Sequence, residues 1–200
     1  MPFGYPVSLE LSGRRAVVIG ALAVREGKAD QLRAAGATVD VFENQRWRPE
    51  DLDGAFLCVA SSDDPAERDR IAAEARARGV LVNVMDDVPN CDFAAPAIVR
   101  RGDLVLAIST GGSSPALARR LREDLQARYG PEWAAVLDVL RGVRAETLTE
   151  LGDLRERSRR WRAALDLDEA EGLVRSGRAD ELRRRLLERL RAPSEREPVA

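Results

Sequence analysis

The chain has 200 residues, of which 44% are hydrophobic and 33% are charged, and its formal net charge at pH 7 is −2. This length suits one or two domains with a sizeable core, and the nearly balanced charge offers no general attraction to nucleic acid. The apolar runs fall short of the roughly 18 residues that a membrane-spanning helix needs, and the N-terminus lacks the pattern of a signal peptide. We therefore expect a cytoplasmic protein that binds neither nucleic acid nor membranes.

The first part of the chain alternates between short apolar runs and helical patterns. Strands are predicted at residues 15–20, 38–42, 55–60, 81–84 and 104–108, and helices at 24–35 and 65–78. Strands separated by helices are typical of a parallel sheet with helices on both faces. We therefore predict an α/β, Rossmann-like nucleotide-binding domain over residues 1–112.

Helical periodicity dominates from Ser114 onward. Pro115 suits the first turn of a helix, and Gly130-Pro131 interrupts the pattern. Further helical segments are predicted near residues 132–149, 151–165, 167–176 and 178–191. These segments form a predicted helical C-terminal region over residues 113–192, followed by a disordered tail over residues 193–200.

The absence of histidine narrows the chemistry that the chain can perform. Histidine is the side chain that most often transfers protons or binds metals. Cys58 and Cys91 fit no metal-ligand spacing, and Cys58 lies in an apolar run where a buried thiol is expected. We therefore predict no metal site and assign proton transfer to aspartate or glutamate, with tyrosine, Lys28 and hydroxyl groups as lesser options.

The loop after the first strand partly matches a dinucleotide-binding fingerprint. That fingerprint reads G-x-G-x-x-G/A, but only Gly20 occupies a glycine position here, and Leu22 and Arg25 occupy the other two. Glu43 ends the second strand at about the distance where an acidic residue meets a ribose hydroxyl. These residues leave two interpretations open, a nucleotide site and an ordinary structural turn.

A hydroxyl- and glycine-rich loop, residues 109–114, joins the last predicted strand to the helix that begins at Pro115. Backbone N–H groups and hydroxyls at a helix N-terminus form an anion site. The alternative is plain capping of the helix by Ser113 or Ser114.

Several motifs together are specific: N-V-x-D, C-D-F, P-A-I-V-R-R-G and A-I-S-T-G-G-x-S-P-A-L-A. They lie in DLDGAFLCVASSDDP, VLVNVMDDVPNCDF and PAIVRRGDLVLAISTGGSSPALARRLRE, with a weaker match in RERSRRWRAAL. Across residues 5–190 the chain resembles the precorrin-2 dehydrogenase / sirohydrochlorin ferrochelatase family, the N-terminal type of siroheme synthase. The resemblance implies NAD-dependent oxidation of precorrin-2 to sirohydrochlorin and, in some members, insertion of Fe²⁺ as a substrate. It also implies a homodimer that forms through the helical region.

The resemblance implies that Asp86, the aspartate of N-V-x-D, is the acid–base catalyst. A carboxylate at the end of a strand suits this role in a chain without histidine. Its neighbour Asp87 is expected to raise the proton affinity of the pair by like-charge repulsion. Without the resemblance, Asp86 reads as an ordinary loop or capping residue.

Further residues are assigned to the cofactor and to the carboxylates of the tetrapyrrole substrate. The NAD contacts are assigned to Gly20, Ala23, Val24, Glu43, Asn44 and Gln45, and Glu43 favours NAD because it repels a 2′-phosphate. The substrate contacts are assigned to Asn83, Ser109, Thr110, Gly111, Gly112, Ser113 and Arg119. Arg100, Arg101 and Arg120 are further candidates that also read as surface arginines, while packing is the alternative for Asn83 and Phe93.

The chain departs from the family mainly in the cofactor half. The family loop resembles G-G-G-x-V-A, whereas this chain reads G-A-L-A-V-R. The link between the second and third strands lacks the family's extra helix and strand, and Arg68 stands where the family tends to have asparagine. A leucine where pyrophosphate approaches supports a second hypothesis, an NAD-independent chelatase or tetrapyrrole-binding relative with a decayed dinucleotide site. The third hypothesis is a non-catalytic dimeric binding protein.

Overall fold

The computed structural model describes residues 3–192. Its first part contains β1 (Arg15–Ile19), α1 (Leu22–Ala34), β2 (Thr38–Phe42), β3 (Leu57–Ala60), α2 (Pro65–Ala77) and β4 (Leu81–Val84). The strands form a four-stranded sheet in the order β2-β1-β3-β4, and all neighbouring strands are parallel. The predicted Rossmann-like alternation of strands and helices is confirmed.

The central strands β1 and β3 are buried on both faces, which explains their continuous apolar runs. Val17, Ile19 and Cys58 belong to the core that includes Ile71 and Ala75 of α2. Side chains alternate along a strand, so Ala16, Leu57 and Val59 face the other side of the sheet. There they form a separate core with Leu32 of α1 and Ala35, which follows it. Helices therefore cover both faces, as predicted, and a strand buried on both faces reads as apolar throughout.

The short link between β2 and β3 is anchored on α2. Trp47 is only 4% exposed, and Leu52, at the end of the 3-10 helix Pro49–Leu52, is fully buried. The indole N–H of Trp47 donates a hydrogen bond to Glu67 (2.5 Å), and the guanidinium of Arg70 lies 4.0 Å from the centre of a Trp47 ring. These contacts hold the short link against α2.

The strand predicted at residues 104–108 is present but is not a fifth parallel strand. It is β6 (Leu104–Ile108), which pairs antiparallel with β5 (Ala97–Arg101) in a separate two-stranded sheet. The prediction was wrong because only Gly102 and Asp103 separate the strands, and so short a link permits only a hairpin. Gly102 has φ +57°, which glycine adopts without strain. The chain divides into compact units between Ala95 and Pro96, so the predicted boundary at residue 112 falls one hairpin later.

The second unit is helical after the hairpin, as predicted. Its helices are α3 (Pro115–Arg128), α4 (Trp133–Thr147), α5 (Leu154–Ala164), α6 (Leu167–Arg175) and α7 (Ala179–Arg191). The core of this unit is built mainly from α4, α6 and α7, with Val136, Val143, Leu182, Leu186 and Leu190 among its buried residues. Between residues 3 and 192, no helix is long and apolar enough to cross a membrane. The tail predicted at residues 193–200 lies outside the described residues.

Candidate active site

The carboxyl ends of the parallel strands define the candidate site of the first unit. In the strand order β2-β1-β3-β4, β2 lies on one side of β1, and β3 and β4 lie on its other side. The direction in which strands are added therefore reverses between β1 and β3. Ligands of open α/β sheets bind outside the strands at such a point. The loops meet closely there, because a β-carbon added at Gly20 would lie 3.3 Å from the carbonyl oxygen of Ser61.

The N-terminus of α1 is open to an anionic group. Its N-cap residue is Ala21, and no side chain caps the helix. The first N–H groups of a helix need partners from outside it and attract negative charge. Leu22 is 61% exposed, so its side chain reaches into solvent rather than filling the loop. Ala23 is exposed and Val24 is half-buried in the same turn. The backbone N–H groups here are available to an anion such as a pyrophosphate, although Leu22 stands where the fingerprint has its second glycine.

Glu43 lies at the end of β2, where an acidic residue would meet the ribose. Arg25 Nη2 lies 3.4 Å from Glu43 Oε1, and Arg46 Nε lies 3.1 Å from Glu43 Oε2. Both guanidinium groups reduce the repulsion that Glu43 would exert on a 2′-phosphate, so its preference for NAD over NADP stays a prediction. The adjacent Asn44 has a buried side-chain oxygen without a hydrogen-bond partner in the described chain, while Gln45 is exposed. An unpartnered buried acceptor is costly and is available to a hydroxyl donor.

Asp86 is presented from a turn directly after β4. Its φ of +61° lies in the left-handed region, and Phe3 is the only other non-glycine residue with a positive φ between residues 3 and 192. Its side chain is exposed. Aspartate tolerates this backbone conformation better than most residues, and such conformations cluster at functional sites. The turn thus places a carboxylate at the same sheet edge as Gly20 and Glu43.

The neighbouring Asp87 does not behave as predicted. Its Oδ2 accepts hydrogen bonds from Asn90 Nδ2 (3.1 Å) and Arg68 Nε (2.8 Å). The bond from Asn90 and the pairing with Arg68 hold the pKa of the Asp87 carboxyl below its ordinary value. The expected rise in proton affinity is therefore wrong for Asp87. Its charge is compensated, and its side chain anchors the turn that carries Asp86.

The Cys91–Phe93 segment (C-D-F) covers the open edge of β4. Asp92 N donates to Val82 O (2.7 Å), and Val82 N donates to Asp92 Oδ2 (3.1 Å). Asn83 Nδ2 donates to the carbonyl of Phe93 (2.8 Å), and the Phe93 side chain packs, partly buried, on the core shared with α1. These bonds pair an edge strand that would otherwise expose its backbone. The packing alternative is thus confirmed for Phe93, and Asn83 supports the segment that follows the Asp86 turn.

The serine- and glycine-rich loop belongs to the second unit and is held mainly by its own side chains. Ser114 Oγ accepts from Leu117 N (3.2 Å), which confirms the capping alternative for Ser114. Thr110 Oγ1 accepts from Ser114 N (3.2 Å), and Ser109 Oγ accepts from Gly111 N (3.2 Å). The exposed residues Gly112 and Ser113 form the outer part of the loop. Gly111 and Gly112 have φ values of +60° and +83°.

The candidate arginines of the second unit fall into different environments. Arg119 and Arg120 are exposed and pair with Glu123 and Asp124 on the same helix. Arg101 instead donates hydrogen bonds to the carbonyls of Tyr129 (2.9 Å) and Gln126 (3.3 Å), which satisfies the C-terminal end of α3. Arg101 is therefore a structural residue, whereas Arg119 presents its side chain to solvent.

Two residues that organise the Asp86 turn were missed as site residues. Arg68 was noted only as a departure from the family, and Asn90 only as part of a motif. The available signal was the position of Arg68 in the first helical turn after β3, because helix N-termini in this fold face the carboxyl ends of the strands. Nothing in the local pattern predicts that its partner is Asp87.

The first unit has the α/β fold that is typical of dinucleotide-binding domains, and comparisons with known proteins agree. Residues 7–97 match a family model described as putative NAD(P)-binding, and residues 101–128 match one described as the central part of a sirohaem biosynthesis protein. Siroheme synthase 1 of Serratia proteamaculans is 32% identical over 200 residues, which covers 90% of this chain and 42% of that protein. Siroheme synthase 1 of Pectobacterium atrosepticum is 34% identical, covering 78% of this chain and 36% of that protein.

One solved structure, SirC, precorrin-2 dehydrogenase, shares the fold with 22% sequence identity and a TM-score of 0.62. The match covers 93% of this chain and 98% of that one. The chain belongs to the siroheme synthase family, in the part that contains the NAD(P)-binding domain. It spans less than half the length of the curated relatives that it matches.

Proposed function

We propose that this chain is an NAD-dependent precorrin-2 dehydrogenase that forms sirohydrochlorin in siroheme biosynthesis. The observation that carries the proposal is the succession of an NAD(P)-binding match and a siroheme central-region match along one chain. The reaction removes a hydride and a proton from precorrin-2, so that precorrin-2 and NAD⁺ yield sirohydrochlorin, NADH and H⁺. The chain must therefore hold a hydride acceptor, orient a tetrapyrrole and take up one proton.

NAD⁺, when bound, supplies the acceptor for the hydride. The open N–H groups of α1 would bind its pyrophosphate, with Gly20, Ala23 and Val24 forming the surrounding turn. Glu43 would bind the ribose hydroxyls, and the unpartnered side-chain oxygen of Asn44 would accept a further hydroxyl bond, with Gln45 beside it. These residues bind and orient the nucleotide through groups that the fold leaves available.

Asp86 is the proposed general base. Its turn follows β4 at the sheet edge where the nucleotide is proposed to bind, and a positioned carboxylate typically accelerates proton transfer by about 10²–10⁴-fold. In the second unit, the 109–113 loop and Arg119 are the proposed contacts to the substrate's carboxylates, whereas the Asn83 amide donates to Phe93 and Cys91. Backbone N–H groups and guanidinium groups recognise carboxylates through charge-assisted hydrogen bonds.

A homodimer formed through the helical region is part of the proposal. Leu117 and Leu121 of α3 are 50% and 39% exposed, and Ile98 and Val105 of the hairpin are 38% and 41% exposed. The second unit thus leaves large apolar side chains uncovered, and a homodimer formed through this region would bury them.

The test is to mix the full chain with precorrin-2 and NAD⁺ and follow NADH formation. Asp86→Asn is the informative variant because asparagine also accepts a left-handed backbone, so the turn is kept while the base is lost. We expect turnover to fall about 10²–10⁴-fold with NAD⁺ affinity unchanged. Asp30→Asn, at an exposed aspartate of α1, is the matched control. Unchanged turnover in Asp86→Asn refutes the assignment of the base, and no NADH from the unaltered chain refutes the dehydrogenase.

The glycine loop favours one second candidate, a chelatase or tetrapyrrole-binding protein that does not use NAD. Leu22 and Arg25 replace glycines, and Arg25 pairs with the carboxylate expected to bind ribose. Calorimetry with NAD⁺ and NADP⁺ separates the candidates, because the dehydrogenase must bind one of them. No heat at millimolar nucleotide, together with insertion of Fe²⁺ into sirohydrochlorin, supports the chelatase.

A further inference from the structure

Arg68 connects the loops that follow β3 and β4. It lies in the first turn of α2, and its side chain is only 26% exposed. Its Nη1 donates a hydrogen bond to the carbonyl of Ser62 (3.0 Å), directly after β3. Its Nε donates to Asp87 Oδ2 (2.8 Å), directly after β4. One guanidinium group therefore sets the separation of two loops at the edge where the nucleotide is proposed to bind.

The contact with Asp87 extends to the backbone of Asp86. Asp87 N donates to Val84 O (3.2 Å), which closes the turn around Asp86. On its other side, the Asp87 carbonyl accepts from Asn90 N (3.0 Å) and from Cys91 Sγ (3.2 Å). Asp86 has a left-handed backbone, which persists only when its surroundings enforce it. The hydrogen bonds of Asp87 hold this backbone conformation from the C-terminal side of Asp86.

We propose that Arg68 is a positioning residue for the reaction and orients Asp86 through the Asp87 carboxylate. This inference rests on the proposed function, in which Asp86 takes the proton. Arginine suits the task because its planar fork offers donors in fixed directions, whereas the ammonium of lysine is a single point charge. Lysine carries all its donors on one nitrogen, so it does not reproduce the separation and directions of the Nε and Nη1 bonds that connect the two loops.

The kinetic test compares Arg68→Gln, Asp87→Asn and the double variant with the unaltered chain in the NADH assay. A small displacement of a catalytic group can cost about 10²-fold, so we expect each single variant to lower kcat roughly ten- to hundredfold. The double variant should lose no more than the worse single variant, because both act through the same contact. Arg68→Lys should not restore kcat.

The matched control is Arg78→Gln. Arg78 is the C-cap residue of the same helix, its side chain is 25% exposed, and its Nε donates to Asp53 at 2.9 Å, a carboxylate that does not belong to the Asp86 turn. This variant should keep kcat near that of the unaltered chain. Normal kcat in Arg68→Gln, additive losses in the double variant or restoration by lysine would each overturn the proposal.

Hydrogen exchange provides a reading that does not depend on activity. The amide of Asp87 is protected by its bond to Val84 O, so Arg68→Gln should speed its exchange about tenfold or more if Arg68 holds the turn. Arg78→Gln should leave the exchange of this amide unchanged. If the unaltered chain does not oxidise precorrin-2, the proposed function fails, yet the exchange rate still decides whether Arg68 controls the turn. If the unaltered chain oxidises precorrin-2 and Arg68→Gln changes neither kcat nor the exchange rate of the Asp87 amide, the positioning role of Arg68 is refuted while the proposed function stands.

Discussion

Replacing Trp47 by alanine should destabilise the first unit strongly. The indole is 4% exposed. Truncating a buried tryptophan to alanine typically lowers the free energy of unfolding by about 3–5 kcal/mol, because transfer energy is lost and a cavity remains. The hydrogen bond to Glu67 and the contact with Arg70 disappear as well, which places the expected loss in the upper part of that range. Trp47→Phe keeps much of the ring and loses the hydrogen bond, so about 1–2 kcal/mol is expected.

Stability should be measured unit by unit, because a chain with two compact units need not unfold in one step. Hydrogen exchange of amides in β1 and β3 reports the first unit in urea. Trp161→Ala is the matched control, since Trp161 packs on the core of the second unit and should leave those amides unchanged. Trp47→Ala should also bind NAD⁺ less tightly, because Trp47 anchors the link that begins with Glu43. A loss below about 1 kcal/mol in Trp47→Ala would show that the link is not held as described.

Two further predictions concern ion pairs. Arg25→Ala removes a cation from Glu43, so NADP⁺ affinity should fall relative to NAD⁺ by up to about 1 kcal/mol, or about fivefold; an unchanged ratio in calorimetry would exclude this pair from nucleotide selection. In the second unit, hydrogen bonds from Arg189 and then Arg185 hold the pKa of Glu169 below its ordinary value. The stabilisation is therefore present above the unfolded pKa of glutamate and is lost as the pH falls through the folded one. Glu169→Gln should lower Tm by a few degrees at pH 7, and the difference should shrink in acid; a constant difference across pH would contradict the pairing.

Local patterns in the sequence determined most of the secondary structure. The runs Ala16–Ile19 in β1 and Leu57–Ala60 in β3 are apolar throughout because both faces of each strand are buried, and this character is visible without coordinates. The start of α3 is equally local, since Ser114 caps the helix and Pro115 occupies its first turn. The same local motifs carried the resemblance to the siroheme synthase family, so the class of the protein and the candidate base Asp86 were also accessible.

Tertiary structure decided the partners of those residues. The 104–108 strand was found in the sequence, but its pairing in a hairpin depended on β5, whose pattern gave no comparable signal. Asp87 was expected to influence Asp86 by repulsion and is instead neutralised by Arg68, which lies on the preceding helix. Trp47 anchors on Glu67 in the same long-range manner. Periodicity in the sequence shows which face of an element is apolar. It does not show which charged or aromatic residues distant in sequence become partners, because their side chains come within bonding distance only when the chain folds.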